Sequence, residues 1–189
     1  MSEMALDYRR RPISVHDYHL MEEAGVFGSD ERVELVNGEL IAVPPFGPPH
    51  RSAANRLNRL LTERFNGRAV VQVASSVVVS DDSEPEPDFT LLRWDQTGYE
   101  GRDPGPADTF LVIEIGWSSR RFDRRVKVPL YARTGIPEVW LVDLKEKTLF
   151  VFCDLAEGEY RTTKILRRGE SAACAAFPDD PVPVDQIIL

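Results

Sequence analysis

The stretch FLVIEIGWSSRRFDRRVKVPLYARTGIPEVWLVD, residues 110–143, decides the fold of this chain. FLVIEI, at 110–115, is apolar on both faces except for Glu114, which is the pattern of a strand buried in a sheet. A helix is predicted over 120–133 and a second strand over 138–142. A strand, a helix and a strand in this order favour an α/β or α+β fold, in which helices pack on the faces of a mixed β-sheet.

The flanking sequence adds a hairpin, two helices and more strands. Asn37-Gly38 favours the two positive φ angles of a type I′ turn, so 32–36 and 39–43 are predicted to form an N-terminal β-hairpin. Capping and apolar periodicity predict helices over 14–25 and 49–65. Short β-branched or apolar runs predict further strands over 70–73, 77–79, 89–93, 148–152 and 160–166.

Length and composition indicate one folded domain. The chain has 189 residues, of which 42% are hydrophobic and 29% charged, so we expect a single domain over 1–189, with 1–12 and 170–189 as less regular extensions. No apolar run approaches the roughly 18–20 residues that cross a bilayer, and residues 1–11 lack the apolar stretch of a signal peptide. These features predict a soluble, cytoplasmic protein without a membrane partner.

Charge and motifs exclude several classes of function. The net charge of −8 disfavours a protein that binds polyanions by overall attraction, so any contact with nucleic acid must be local. No phosphate-binding loop, GxGxxG, HExxH or GxSxG motif is present. The two cysteines lack CxxC spacing and predict buried free thiols. Basic residues concentrate in one stretch in which Asp123 is the only acid: Arg120, Arg121, Arg124, Arg125, Lys127 and Arg133.

Two carboxylates, Asp88 and Glu114, form the candidate metal site. If strands 88–93 and 110–115 pair antiparallel across the loop 94–109, these residues become neighbours, about 5 Å apart at Cβ if directly opposite. Two carboxylates this close repel each other unless a cation lies between them, and oxygen ligands suit Mg²⁺ or Mn²⁺. The backbone carbonyl of Ile115 is a third candidate ligand. The alternative is that Asp88 merely begins a strand and Glu114 pairs with an arginine of the basic helix.

Lys127 lies on the predicted helix that follows the Glu114 strand. Asp123 and Tyr131 fall on the same helix face at i−4 and i+4. From this helix the ammonium could approach the metal pair, stabilise negative charge on a phosphate or orient an attacking water. The alternative is an exposed ion pair between Asp123 and Lys127, worth about 0.3–0.5 kcal/mol.

Four ordered motifs carry a family resemblance: RVELVNGEL at 32–40, PEPDF at 85–89, LVIEIGWSS at 111–119 and DRRVKVPLYARTGIPEVWLVD at 123–143. Together they resemble the Uma-type putative restriction endonucleases of the PD-(D/E)XK nuclease superfamily, over about residues 13–153. The resemblance implies a restriction-endonuclease-like mixed β-sheet flanked by helices, with an N-terminal β-hairpin.

The resemblance also assigns residues. It implies that Asp88 is the acid of the Pro-Asp pair, that Glu114 is the strand acid and that Lys127 is the catalytic lysine. Gly116 stands two residues after Glu114, where the superfamily usually has its lysine. The lysine of this chain has therefore moved from the strand to the helix, which leaves its exact role open.

Glu34 and His50 are further candidates from the same resemblance. Glu34 resembles an additional acid of the family that binds a second ion or orients water, and His50 resembles a recurring family histidine. The alternatives are that Glu34 is a strand-edge charge paired with Arg32 or a helix arginine, and that His50 is an exposed residue at a helix start.

The function implied by the resemblance is DNA cleavage by a metal-activated water. Arg120, Arg121, Arg124 and Arg125, with Arg51 and Arg59, are candidates for contacts to flanking DNA phosphates. Related folds lead us to expect a homodimer or higher homo-oligomer. One competing interpretation is a catalytically silent module that binds DNA or a protein, and another is an oligomer surface that includes Trp117 and Trp140.

Overall fold

The computed structural model describes residues 10–117 and 119–189. Most of the predicted N-terminal extension, residues 1–9, therefore lies outside the described residues. The helices are α1 (Val15–Glu23), α2 (Pro48–Phe65), α3 (Arg120–Phe122), α4 (Val128–Arg133) and α5 (Val184–Ile187). A π-helical turn, Asp123–Lys127, joins α3 to α4, so that one helical segment runs over 120–133.

A six-stranded mixed sheet forms the centre of the molecule, in the order β3-β4-β5-β6-β7-β8. Only β5 and β6 pair in parallel, and the helical segment 120–133 connects them. The six strands are β3 (Ala69–Val73), β4 (Phe89–Arg93), β5 (Thr109–Gly116), β6 (Val139–Asp143), β7 (Thr148–Ala156) and β8 (Glu159–Leu166). The predicted mixed α+β architecture is confirmed.

Two small antiparallel pairs flank the central sheet. The hairpin of β1 (Arg32–Val36) and β2 (Glu39–Val43) is confirmed, and Asn37 and Gly38 both have positive φ, as its tight turn requires. Near the C-terminus, β9 (Ser171–Ala172) pairs with β10 (Val182–Pro183). Together with α5, this pair gives residues 170–189 short regular elements, several of whose apolar side chains are buried.

An apolar cluster packs on each face of the central sheet. On one face, α2 packs Leu57, Leu61 and Phe65 against strand residues such as Leu111 and Ile113. On the other face, apolar residues of the hairpin and of the helical segment 120–133 cover β5, β6 and β7. Among the described residues, no helix has the length and apolar character needed to cross a membrane.

The strand predicted over 77–79 is wrong. Val77 and Val79 donate backbone hydrogen bonds to the carbonyls of Pro85 and Ser83, within a local excursion of the chain, and do not join the sheet. Both valines are buried in the cluster on the hairpin face. Their β-branched side chains thus reflect burial by tertiary packing and not sheet pairing.

Candidate active site

The pairing of β4 with β5 brings Asp88 and Glu114 to the same place. Phe89 pairs with Ile113 in antiparallel register, and one step further along both strands Asp88 comes to lie opposite Glu114. Asp88 Oδ2 accepts a hydrogen bond from the Ile115 backbone N–H at 2.7 Å. The antiparallel pairing of β4 with β5, together with this hydrogen bond, therefore fixes the position of the Asp88 carboxylate.

Lys127 links two carboxylates from different parts of the chain. Its Nζ lies 2.8 Å from Glu34 Oε2 and 3.2 Å from Glu114 Oε1. Tyr131 donates a hydrogen bond from its hydroxyl to the same Glu114 Oε1 at 2.7 Å. All four side chains are buried. The hairpin, β5 and the helical segment 120–133 thus meet in one polar network inside an otherwise apolar face.

The π-helical turn begins at Asp123 and ends at Lys127, and both of these side chains are buried. Ser119 Oγ donates a hydrogen bond to Asp123 Oδ2 at 2.7 Å. A π-helical turn is rare and often occurs at functional sites. The exposed ion pair considered for Asp123 and Lys127 is therefore wrong: both face the interior, and the hydrogen-bond or ion-pair partners of Lys127 are Glu34 and Glu114.

His50 contacts Asp88 from the start of α2. Its Nε2 lies 2.9 Å from Asp88 Oδ1, and the imidazole is buried. The Phe46 ring stacks on the imidazole with 4.0 Å between ring centroids, and the Arg32 guanidinium lies 4.1 Å from the Phe46 ring centroid. The exposed position considered for His50 is wrong, because the stack holds the ring against the carboxylate.

Burial and mutual repulsion shift the pKa values of this network. Burial, together with the nearby Asp123 and Asp88 carboxylates, raises the pKa of Glu114 well above its usual range, although the Lys127 charge opposes this shift. Burial also raises the pKa of Asp123. Burial alone would lower the pKa of Lys127, but the surrounding carboxylates outweigh it and raise the pKa above its ordinary value. Lys127 is therefore a cation at neutral pH.

Gly116 explains why the lysine is on the helix. A Cβ built at Gly116 would lie 2.7 Å from the Arg120 Cβ and 2.9 Å from its Cα. No side chain fits there without moving the start of the helical segment. The position two residues after Glu114 therefore has no room for a lysine, and Lys127 brings its ammonium to Glu114 from the helix.

A cavity of about 300 Å³ opens over these side chains. The polar side of this cavity, which we call the carboxylate floor, is lined by these buried side chains: Glu34, His50, Asp88, Glu114, Asp123 and Lys127. The candidate acids are thus buried next to an accessible space and are not sealed inside the core.

The arginines of the predicted DNA track are not equivalent. Arg120 pairs with Asp143 at 3.0 Å and with Glu146 at 3.2 Å. The Arg124 guanidinium lies 4.7 Å from the Phe150 ring centroid, beside a second groove that α4 forms with β7 and β8. Arg121 and Arg125 are exposed, and so are Arg51 and Arg59 on α2.

The positions of three further residues decide between the alternatives that the sequence left open. Glu34 is not a strand-edge charge paired with Arg32, since it is buried and contacts Lys127. Glu114 pairs with Lys127 and not with a helix arginine. Trp140 is 1% exposed and belongs to the α2-face core, so it forms no part of an oligomer surface.

Sequence reasoning missed the contact that Tyr131 makes. Its place four residues after Lys127 put it on the right helix face, but the sequence contains no signal for the hydrogen bond to Glu114. The buried position of Asp123 was missed for a related reason, because an acid between arginines is typical of a solvated helix face.

The donor set suits a hard cation. Glu34, Asp88, Glu114 and Asp123 are four buried acids that line the same cavity as one buried lysine, and a divalent ion would favour their ionised forms over the protonated forms that burial favours. In residues 10–117 and 119–189, no three His, Cys, Asp or Glu side chains are grouped as a ready metal cage. An ion at this place would therefore take at most two of these side chains as ligands and would need backbone and water oxygens to complete its shell.

The central mixed sheet flanked by helices, with Asp88 and Glu114 side by side where β4 begins and β5 ends, is the arrangement expected of a restriction-endonuclease-like fold. Residues 15–184 match the family described as "Uma2: Putative restriction endonuclease", and the chain belongs to this family. The chain is also similar to a crystal structure described as a putative nuclease belonging to DUF820 from Anabaena variabilis ATCC 29413. The TM-score is 0.72 at 15% identity, over 93% of this chain and 97% of that chain, a similarity that shows the fold. No similar sequence is found among curated proteins.

Proposed function

We propose that this chain is a Mg²⁺- or Mn²⁺-dependent endonuclease that hydrolyses phosphodiester bonds in DNA. The observation that carries the proposal is the excess of buried carboxylates around Lys127 on the floor of an open cavity. Buried charges are costly unless they are paired or bind a metal. Membership of the family described as "Putative restriction endonuclease" supports nucleic acid as the substrate.

Asp88, Glu114 and the carbonyl of Ile115 are the proposed ligands of the ion. The N–H and C=O of one strand residue point to the same side of the strand, and the Ile115 N–H already points to Asp88. The carbonyl is therefore on the side of the strand that the site requires. When bound, the ion lowers the pKa of a water molecule and offsets charge on the scissile phosphate.

Lys127 acts as a fixed cation in this proposal. Its raised pKa keeps the ammonium protonated, so the residue stabilises negative charge on the phosphate and does not accept a proton. Glu34 and Tyr131 act through their contacts: Glu34 anchors the ammonium, and Tyr131 fixes one oxygen of Glu114. His50 fixes Oδ1 of Asp88 in the same way.

Contacts to the DNA backbone are assigned to the arginines that lack strong internal partners. Arg121 and Arg125 are exposed on the helical segment that carries Asp123 and Lys127, and they are suited to phosphates that flank the cleaved one. Arg120 contributes less, because Asp143 and Glu146 already engage its guanidinium. The expected homodimer or higher homo-oligomer stays a prediction.

The test is cleavage of plasmid DNA and of single-stranded DNA by the purified protein in Mg²⁺ or Mn²⁺, beside Asp88→Ala and Lys127→Ala. We expect nicked or linear DNA from the wild type only, with a loss of more than about 100-fold in either variant, since even outer-shell partners of a metal contribute about 10–100-fold. Asp88→Asn keeps the shape of the side chain and controls for misfolding. Equal cleavage by all proteins would expose a contaminating nuclease and contradict the proposal.

The second candidate is a catalytically silent module of the same fold. It is favoured by the environment of Asp88, because both oxygens of this carboxylate already have protein partners. In that case the wild type would bind DNA but leave it intact with every divalent ion tested.

A further inference from the structure

The cavity has an apolar wall that hydrolysis of a phosphodiester does not require. This wall combines side chains of β2, the loop after it and the segment that follows β5: Ile41, Val43, Pro44, Phe46, Trp117 and Phe122. A phosphate and its ion need charge and oxygen ligands. The apolar wall therefore faces a different part of the substrate, adjacent to the phosphate.

Trp117 is the most exposed of the three aromatic side chains in this wall, since Phe46 and Phe122 are both half-buried. It is 42% exposed, and the Lys145 ammonium lies 5.4 Å from its ring centroid. Phe46, in contrast, already contacts His50 and Arg32 with its ring. Exposed aromatic rings beside a phosphate site are typical stacking partners for bases of single strands.

The size of the cavity limits what can enter it. About 300 Å³ is at the lower end of the range for small-molecule pockets. Bases inside a duplex are paired and stacked, and they reach such a pocket only when they are turned out of the helix. The net charge of −8 also disfavours the strong general attraction on which duplex binding depends.

We propose that Trp117 and the apolar wall bind an unpaired base next to the scissile phosphodiester, so that the substrate class is single-stranded or locally unpaired DNA. This inference rests on the proposed function, because it takes the carboxylate floor as the place of the phosphate. The base is held by stacking and apolar contact. Recognition is therefore tolerant of sequence.

Two exposed tryptophans provide the matched test. Trp94 is 57% exposed and follows β4 at the end opposite Asp88, about 20 Å away at about 3.3 Å per residue. Trp117→Ala removes the stacking group, Trp94→Ala removes an exposed tryptophan outside the site, and Trp117→Phe keeps an aromatic face. Fluorescence anisotropy measures binding of a short labelled single strand and of its duplex, in Ca²⁺ and again in EDTA.

We expect the wild type to prefer the single strand and Trp117→Ala to weaken single-strand binding by about 5- to 150-fold, the range for one base stacked on an aromatic ring. Trp94→Ala should bind like the wild type, and Trp117→Phe should retain most of the affinity. Equal affinity of the wild type for duplex and single strand would overturn the inference. So would equal single-strand binding by Trp117→Ala and Trp94→Ala.

Cleavage of the same strands in Mg²⁺ separates this inference from the proposed function. Single-strand binding that depends on Trp117, without cleavage by any of the proteins, would contradict the nuclease and support the base subsite. Cleavage of duplex and single strand at equal rates, unchanged in Trp117→Ala, would overturn the base subsite and support the nuclease.

Discussion

The two faces of the central sheet are built from alternate residues of the same strands, yet they differ in kind. On β5, Leu111 and Ile113 belong to the apolar cluster under α2, whereas Val112 and Glu114 lie on the opposite face. The α2 face is mainly apolar, and its buried carboxylate just before β6, Glu138, accepts hydrogen bonds from the Trp140 indole and the Ala175 backbone N–H. The other face contains the Glu34–Lys127–Glu114 network. Buried ion pairs seldom stabilise a protein more than apolar residues of the same size. The comparison indicates that the α2 face carries stability and the hairpin face carries the chemistry.

Replacing Lys127 should produce the largest loss of stability on the charged face. Lys127→Met leaves Glu34 and Glu114 buried without their cation, and we expect the free energy of unfolding to fall by about 3–5 kcal/mol. Urea denaturation measures the change. Lys164→Met on the exposed face of β8 is the control and should lie within about 0.5 kcal/mol of the wild type. Similar curves for both variants would contradict the network.

A substitution that creates a cavity in the apolar core of the α2 face should lower the free energy of unfolding without changing DNA cleavage. Leu57 is fully buried, and Leu57→Ala should lower the free energy of unfolding by about 2–5 kcal/mol. Cleavage per folded molecule should be unchanged. Asn58→Ala, at the exposed neighbouring position, is the control for helix effects. A lowered turnover number in fully folded Leu57→Ala would show that the two faces are not separable.

Removal of the Tyr131 hydroxyl tests whether a single hydrogen bond on the hairpin face contributes to the site. Tyr131→Phe removes one of the two contacts of Glu114 Oε1 and leaves the Lys127 ammonium as the other. We expect metal affinity or cleavage to fall by about 10–100-fold, the range for partners of metal ligands. Tyr160→Phe is the matched control, because that hydroxyl donates to the Ile136 carbonyl on the same face. Comparable kinetic losses in the two variants would argue against a positioning role for Tyr131.

The pH dependence of stability reports the charge on Glu114. Burial raises its pKa in the folded state above the ordinary value of 4.5, so above that pH the folded protein binds more protons than the unfolded chain. Its contribution to the free energy of unfolding is therefore full below about pH 4.5 and is lost as the pH rises through the folded-state pKa. Urea denaturation in EDTA should show this fall for the wild type and a flatter profile for Glu114→Gln. A steeper fall in the variant would contradict the assignment.

The sequence predicted the acid pair because its geometry is local. Asp88 and Glu114 belong to antiparallel neighbours joined by one loop, so a register of a few residues places them. Glu34 and His50 were expected only from the family resemblance, since each reaches the site from an element distant in sequence. The valines at 77 and 79 were misjudged because burial and strand pairing favour the same residue types.

The buried contacts of the helical segment 120–133 could not be predicted from the sequence, for a different reason. A 3.6-residue period places Asp123, Lys127 and Tyr131 on one face, but the π-helical turn and the packing of the hairpin decide which side chains meet. The partners of Arg120 belong to the end of β6 and the turn after it, which only the fold brings near.

Calorimetric titration of the metal-free protein with Mn²⁺ or Mg²⁺ tests the acid pair most directly. We expect the wild type to show a binding site that Glu114→Gln lacks, while Leu57→Ala, altered only on the apolar face, retains it. The same heat of binding in wild type and Glu114→Gln, or no binding by the folded wild type, would contradict the account.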